Sequence, residues 1–266
     1  MLPIYKGIQF LKRFEKGGRT MPWLIIVNEN GNLSQYVVKM FTQNDNDKSF
    51  SLLNEVSGNI LAQEFGIKVP KAALIEFDDD FIATIDDPRL EEIFLYTDER
   101  LKFATKLLNP SYEYSANIFN RQQLKSYLEI DSIFAFDVLI QNGDRTSGKP
   151  NLLFFNKEGY LIDHEVGFNI SKSIGIQSFY ISPQFMYHIF YDYLCDSWNT
   201  TKYDYFNEFC EYLKLLNVNK LDSVFKQLNN NGFHTEQMDN IRNYLLHMKL
   251  NCANFESTLG NLIGRK

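Results

Sequence analysis

Cysteine, histidine, glycine and proline are all scarce in this chain of 266 residues, and no long uncharged apolar run occurs in it. Three cysteines, Cys195, Cys210 and Cys252, are odd in number, widely spaced and set in amphipathic segments. They exclude a disulfide framework and lead us to expect reduced thiols inside a cell. The four histidines, His164, His188, His234 and His247, have no ligand-like spacing with each other or with the cysteines, so packing or surface roles are expected rather than a zinc site. With 14 glycines and 7 prolines, extensive disorder and a long flexible linker are not expected. No stretch approaches the length of a membrane helix. The start, "MLPIYKGIQFLKRFEKGG", scatters charges among apolar residues and does not read as a signal peptide, so the expected location is cytoplasmic. Positive charge is lacking too. A net charge of -6 offers no general attraction to nucleic acid or anionic membrane.

Apolar and aromatic residues, by contrast, are plentiful. At 44% hydrophobic with 23 Phe and 15 Tyr, the chain can bury one large core or two smaller ones meeting at a cleft. Residues 1–86 read mostly as strands: "IQFLKRF", "PWLIIVN" and "QYVVKMF", separated by "EKGGRTM" and "NENGN". One helix follows in "SFSLLNEVSGNILAQEFGI". "KAALIEF" and "FIATI", joined by "DDD", then suggest a second hairpin. Residues 87–266 read mostly as helices, among them "RLEEIFLY", "ERLKFATKLLN" and "RQQLKSYLEIDSIFAFDVLIQN", interrupted by a short hairpin of "NLLFF" and "YLI". The expected fold is therefore α+β, a small β-rich lobe (1–86) with one helix and a larger helical lobe (87–266).

A few polar residues interrupt these apolar patterns. Lys39 in "YVVKM" must turn its charge out of an apolar strand; snorkelling to solvent is the ordinary alternative. Glu55, sixteen residues on in the helix, is a candidate partner, although exposed helical glutamates are common. Gly17 and Gly18 in "KGGRT" allow backbone N–H groups to approach an anion, with Arg19 or Thr20 as helpers; a plain hairpin turn fits equally. In "NGDRTSGKPNLLFFNKEGYLIDHEVGF", Asp144 leaves an apolar helix as a candidate base. Asn151 opens one strand and Asp163 ends the next, so a hairpin would set two hard oxygen ligands at neighbouring strand ends.

The segments "GGRTMPWLI", "YVVKM", "LLNEVSGNILAQEFGIKVPKAALIEF", "QNGDRTSGKPNLLF" and "LIDHEVGF", in that order, resemble the HipA-like kinases, in particular a short branch without the longer N-terminal region. The resemblance implies a two-lobed, protein-kinase-like fold and ATP- and Mg²⁺-dependent phosphorylation of a hydroxyl, that of protein Ser or Thr. It implies that Lys39 holds phosphates, Glu55 holds Lys39, Asp144 is the catalytic aspartate, and Asn151 and Asp163 are metal ligands. It departs from ordinary protein kinases in placing six residues, "RTSGKP", between Asp144 and Asn151 where four are usual, and "DHE" where "DFG" stands. From the order of elements, adenine-contacting backbone is expected after "FIATI", near Ile85 and Asp87. Relatives that act as toxins leave room for an antitoxin or regulatory partner. Two other readings stay open: a nucleotide-binding pseudokinase that works as an interaction module, and a kinase of a small-molecule or lipid acceptor. Thr146 and Ser147, close to Asp144, raise self-phosphorylation against the plainer alternative of turn-forming hydroxyls.

Overall fold

Alternating buried positions carry the first strands, where Trp23, Ile25 and Val27 face inward opposite Tyr36 and Val38. A computed structural model describes residues 1–15, 20–116, 118–119, 121–168, 181–201 and 205–264. The chain runs through β1 (Ile4–Arg13), β2 (Trp23–Glu29), β3 (Asn32–Val38), α1 (Gln43–Lys48), α2 (Ser51–Glu64), β4 (Ala72–Glu76), α3 (Asp79–Ile82), α4 (Pro88–Tyr96) and β5 (Lys102–Lys106). It continues through β6 (Tyr112–Glu113), α5 (Arg121–Tyr127), α6 (Ile130–Leu139), β7 (Leu152–Phe155), β8 (Glu158–Leu161), α7 (Tyr191–Thr201), α8 (Asn207–Leu215), α9 (Asp222–Asn230), α10 (Gln237–Leu250) and α11 (Cys252–Ile263). The fold is mixed α+β.

Two compact units result. The first comprises Met1–Val56, Pro70–Asn109 and Lys220–Thr235, so it runs past residue 86 and takes in α9. Its five strands close into a barrel in the order β1-β2-β3-β5-β4. Inside lie Trp23, Ile25, Val27, Tyr36, Val38, Ala73, Ile75 and Ala104, capped by Phe81. Gly7 admits that ring: a Cβ there would meet Phe81 at 2.7 Å. The second unit, Ser57–Val69, Pro110–Asn219 and Glu236–Lys266, packs α6, α7, α8, α10 and α11 beside the sheet β6-β7-β8. Phe65 stacks on Phe209 at 4.4 Å in its core.

Two expected elements are corrected. "FIATI" is not a strand: the Asp78 carboxylate accepts the Phe81 N–H at 3.0 Å, so the acidic run caps α3 instead of turning a hairpin. "ERLKFATKLLN" is not a helix. Its centre is β5, paired with both β3 and β4, and ladder bonds on both edges override the helix-like spacing. Smaller differences follow local breaks. The long helix expected up to residue 142 stops at Tyr127 and restarts at Ile130, and "PQFMY" is a 3-10 turn before α7.

Candidate active site

Lys39 follows β3, tied to β5 by its N–H to the Phe103 carbonyl at 2.9 Å. Its ammonium turns to Glu55 on α2, 2.9 Å away. With Glu55 buried and Lys39 largely so, this is a desolvated pair rather than a snorkelling lysine. Thr20 is buried, while Gly17, Gly18 and Arg19 lie outside the described residues. Ile85 belongs to the barrel core. Asp87 caps α4, accepting the Arg89 N–H at 3.0 Å and pairing with its guanidinium.

In the second unit, α6 delivers the chain to Asp144. This helix is buried almost throughout, and in its midst the Asp137 carboxylate is fully buried too. Such a charge requires partners. Arg145 supplies the first: Nε donates to Asp137 Oδ2 at 2.6 Å and Nη2 to Oδ1 at 3.3 Å. Asn142 Nδ2 donates to Oδ1 at 3.3 Å, and His188 Nε2 lies 3.0 Å from Oδ2. Because His188 Nδ1 accepts the Phe190 N–H at 3.2 Å, the ring proton sits on Nε2 and points at Asp137. Burial pushes the Asp137 carboxyl up, but the Arg145 charge and the His188 hydrogen bond outweigh it and hold the pKa down to about 2. Burial lowers His188 against the pull of Asp137.

The same guanidinium organises the backbone beyond Asp144. Arg145 Nη1 donates to the carbonyls of Asn151, of Pro150 at 3.3 Å and of Ile162 at 3.5 Å. Within "RTSGKP", Thr146 and Lys149 exchange both backbone hydrogen bonds, at 3.0 and 3.1 Å, and close a tight turn. The longer spacing is thus absorbed locally, and Arg145 joins the residues around Asn151 and Asp163 to the chain after Asp144.

A two-residue turn at Asn156 and Lys157, both with positive φ, makes β7 and β8 a hairpin. Asn151 precedes β7, and its carbonyl accepts the Ile162 N–H at 3.0 Å, next to Asp163. Both Asn151 (φ 48) and Asp163 (φ 64) have left-handed backbone. The segment carrying Asp163 packs closely on α2, where a Cβ on Gly58 would meet the His164 Cβ at 2.5 Å. Asp163 and Glu165 bring carboxylate oxygens within 4.8 Å of each other. Asn151 Nδ2 is buried without a hydrogen-bond partner among the described residues. That nitrogen is a hydrogen-bond donor rather than a metal ligand; the hard oxygens suited to a divalent cation are the Asp163 and Glu165 carboxylates, to which the Asn151 side-chain oxygen adds a third of the same kind.

Lys149 joins the remaining pieces. Its Nζ hydrogen-bonds the Asp144 carboxylate and lies 3.1 Å from Asp163 Oδ2. Burial alone would lower the ammonium, but the bond to Asp144 and the charge of Asp163 outweigh it and raise its pKa.

Sequence reasoning missed Asp137, Arg145, Lys149 and His188. One signal was available: an aspartate inside "IFAFDVLI" is a charge in an apolar run and calls for a cation nearby. His188 offered none, because it has no ligand-like spacing with another histidine or a cysteine and stands 51 residues from Asp137 in sequence.

The family model of the HipA-like kinases matches residues 8–242. Among curated proteins no sequence matches the chain. Among solved structures it is similar to the crystal structure of a Helicobacter pylori proinflammatory kinase, CtkA, at a TM-score of 0.54 and 13% identity, covering 100% of both chains. At that identity the likeness is one of fold.

Proposed function

Because this chain belongs to the HipA-like kinase family, and is on that ground a phosphotransferase, we propose that it moves the terminal phosphoryl group of ATP, with Mg²⁺, to a Ser or Thr hydroxyl of a protein acceptor. The observation that carries this reading is the placement of Asp144 and Asp163 at the two contacts of one ammonium, Lys149. A base and a metal ligand must stand that close if an acceptor hydroxyl is to meet a metal-bound phosphate. In this reading Asp144 orients the hydroxyl and takes up its proton, while Lys39, held by Glu55, binds phosphate oxygens. Asn151 and Asp163 hold Mg²⁺, with Glu165 adjacent; when bound, the ion offsets phosphate charge. Gly17, Gly18 and Arg19 are proposed to contact phosphate.

Adenine is proposed to lie against backbone following the last strand of the first unit. With β5 as that strand, this is residues 107–109, and Ile85 and Asp87 take the core and capping roles described above. We further propose two lobes, with the barrel unit as the smaller.

Incubation with terminally labelled ATP and Mg²⁺ tests the proposal. Label should pass to protein Ser or Thr and disappear with Asp144→Asn. Transfer to a purified metabolite or lipid alone would replace the acceptor class. Nucleotide binding without any turnover would replace catalysis by a binding role. Mass spectrometry of Thr146 and Ser147 after incubation reports whether the enzyme modifies its own loop.

A further inference from the structure

The roles assigned above leave Lys149 unexplained. Its backbone is fixed from both sides, by the turn with Thr146 and by Pro150, whose carbonyl is held by Arg145. A lysine in a plain surface turn has no need to direct its side chain inward. This one reaches the two carboxylates, Asp144 and Asp163, to which the proposed function gives different tasks. Without a cation those two acids repel each other, and the ammonium supplies one compensating charge.

We propose that Lys149 is a positioning residue that stands in for the divalent cation: it neutralises Asp163 while no metal is bound, yields Asp163 to the metal, and keeps Asp144 oriented through its remaining hydrogen bond. This rests on Asp163 being a metal ligand. A +2 ion on Asp163 repels an ammonium held 3.1 Å from the same carboxylate oxygen. The four-carbon stem lets the head move away without moving the turn. Metal arrival is thereby coupled to release of Lys149 from Asp163, and the ammonium becomes free to face the phosphoryl oxygens beside Asp144. No covalent bond is made or broken in this exchange.

Direct competition gives a sign that a merely structural lysine would not. Mn²⁺ binding to the nucleotide-free protein, followed by electron paramagnetic resonance, should be about tenfold tighter for Lys149→Met, because an internal competitor is gone. Lys149→Arg, which keeps the charge, should stay close to wild type, and Lys149→Gln should repeat the methionine result should the latter fail to fold. Unchanged or weaker Mn²⁺ binding in both neutral variants overturns the proposal, as does equal tightening in the arginine variant. Asp163→Asn separates the two levels: if it binds Mn²⁺ like wild type, the metal assignment itself falls. If it loses Mn²⁺ while the neutral Lys149 variants match wild type, only the role of Lys149 falls.

Discussion

Two buried charge sites, one in each unit, are built differently. In the barrel unit the Glu55 carboxylate meets the Lys39 ammonium at 2.9 Å. The helical unit holds a network, in which Asp137 receives Arg145, His188 and Asn142, and Arg145 passes on to the carbonyls of Pro150, Asn151 and Ile162. A pair aims a side chain; a network shapes backbone. The first can be broken with the chain path left intact, whereas breaking the second removes the support of the loop that carries Asp144.

Substitutions can press on that contrast. The largest effect should come from Asp144→Ala, which leaves both charge systems standing and should lower phosphoryl transfer roughly 10²- to 10⁴-fold in a labelled-ATP assay. Full activity would remove Asp144 from the chemistry. Arg145→Met leaves Asp137 buried without its main cation and should cost about 3–5 kcal/mol in urea unfolding. A loss below 1 kcal/mol would reduce the network to an ordinary pair. Asp163→Asn should abolish the stabilisation that Mg²⁺ and a non-hydrolysable ATP analogue provide, about 2.7 kcal/mol at a hundredfold excess over Kd. Glu55→Gln should divide activity from stability: roughly 10²-fold less transfer, with only about 1–2 kcal/mol lost in unfolding because the glutamine side-chain oxygen still accepts a hydrogen bond from Lys39.

The smallest effect is one of pH. His188 has a lower pKa folded than unfolded, so below about 6.5 the unfolded chain takes up the proton first and stability falls with pH. One such site gives a slope of about 1.4 kcal/mol per pH unit, and His188→Gln should flatten it. Asp137 acts lower still. Its contribution is complete above the unfolded carboxylate value of 3.8 and is lost as pH falls through about 2. Urea midpoints measured from pH 7 downward would show the two steps, and a His188→Gln curve as steep as wild type would refute the assignment to His188.

What was legible in the sequence was local. Asn156 and Lys157 turn a hairpin by their own conformation, so the β7 and β8 pairing followed from neighbouring residues. Lys39 stood out as a charge in an apolar strand. The strand β5 was hidden because its identity depends on β3 and β4, more than twenty residues away in sequence. Arg145 was hidden by its surroundings. In "GDRTSG" every neighbour suggests a solvated turn, and it is Asp137, eight residues earlier in buried α6, together with three backbone carbonyls, that holds the guanidinium inside.

The left-handed backbone at Asn151 and Asp163 sets which substitutions these positions can explore. Asn, Asp and Gly enter that region with little steric cost, whereas longer and β-branched residues do not. Glutamate would preserve a carboxylate at 163 yet strain the chain, so chemically conservative and conformationally conservative changes diverge there. Exchange between Asn and Asp keeps the backbone conformation but changes the charge. Drift at the two sites is therefore channelled toward altering charge while the hairpin mouth keeps its shape.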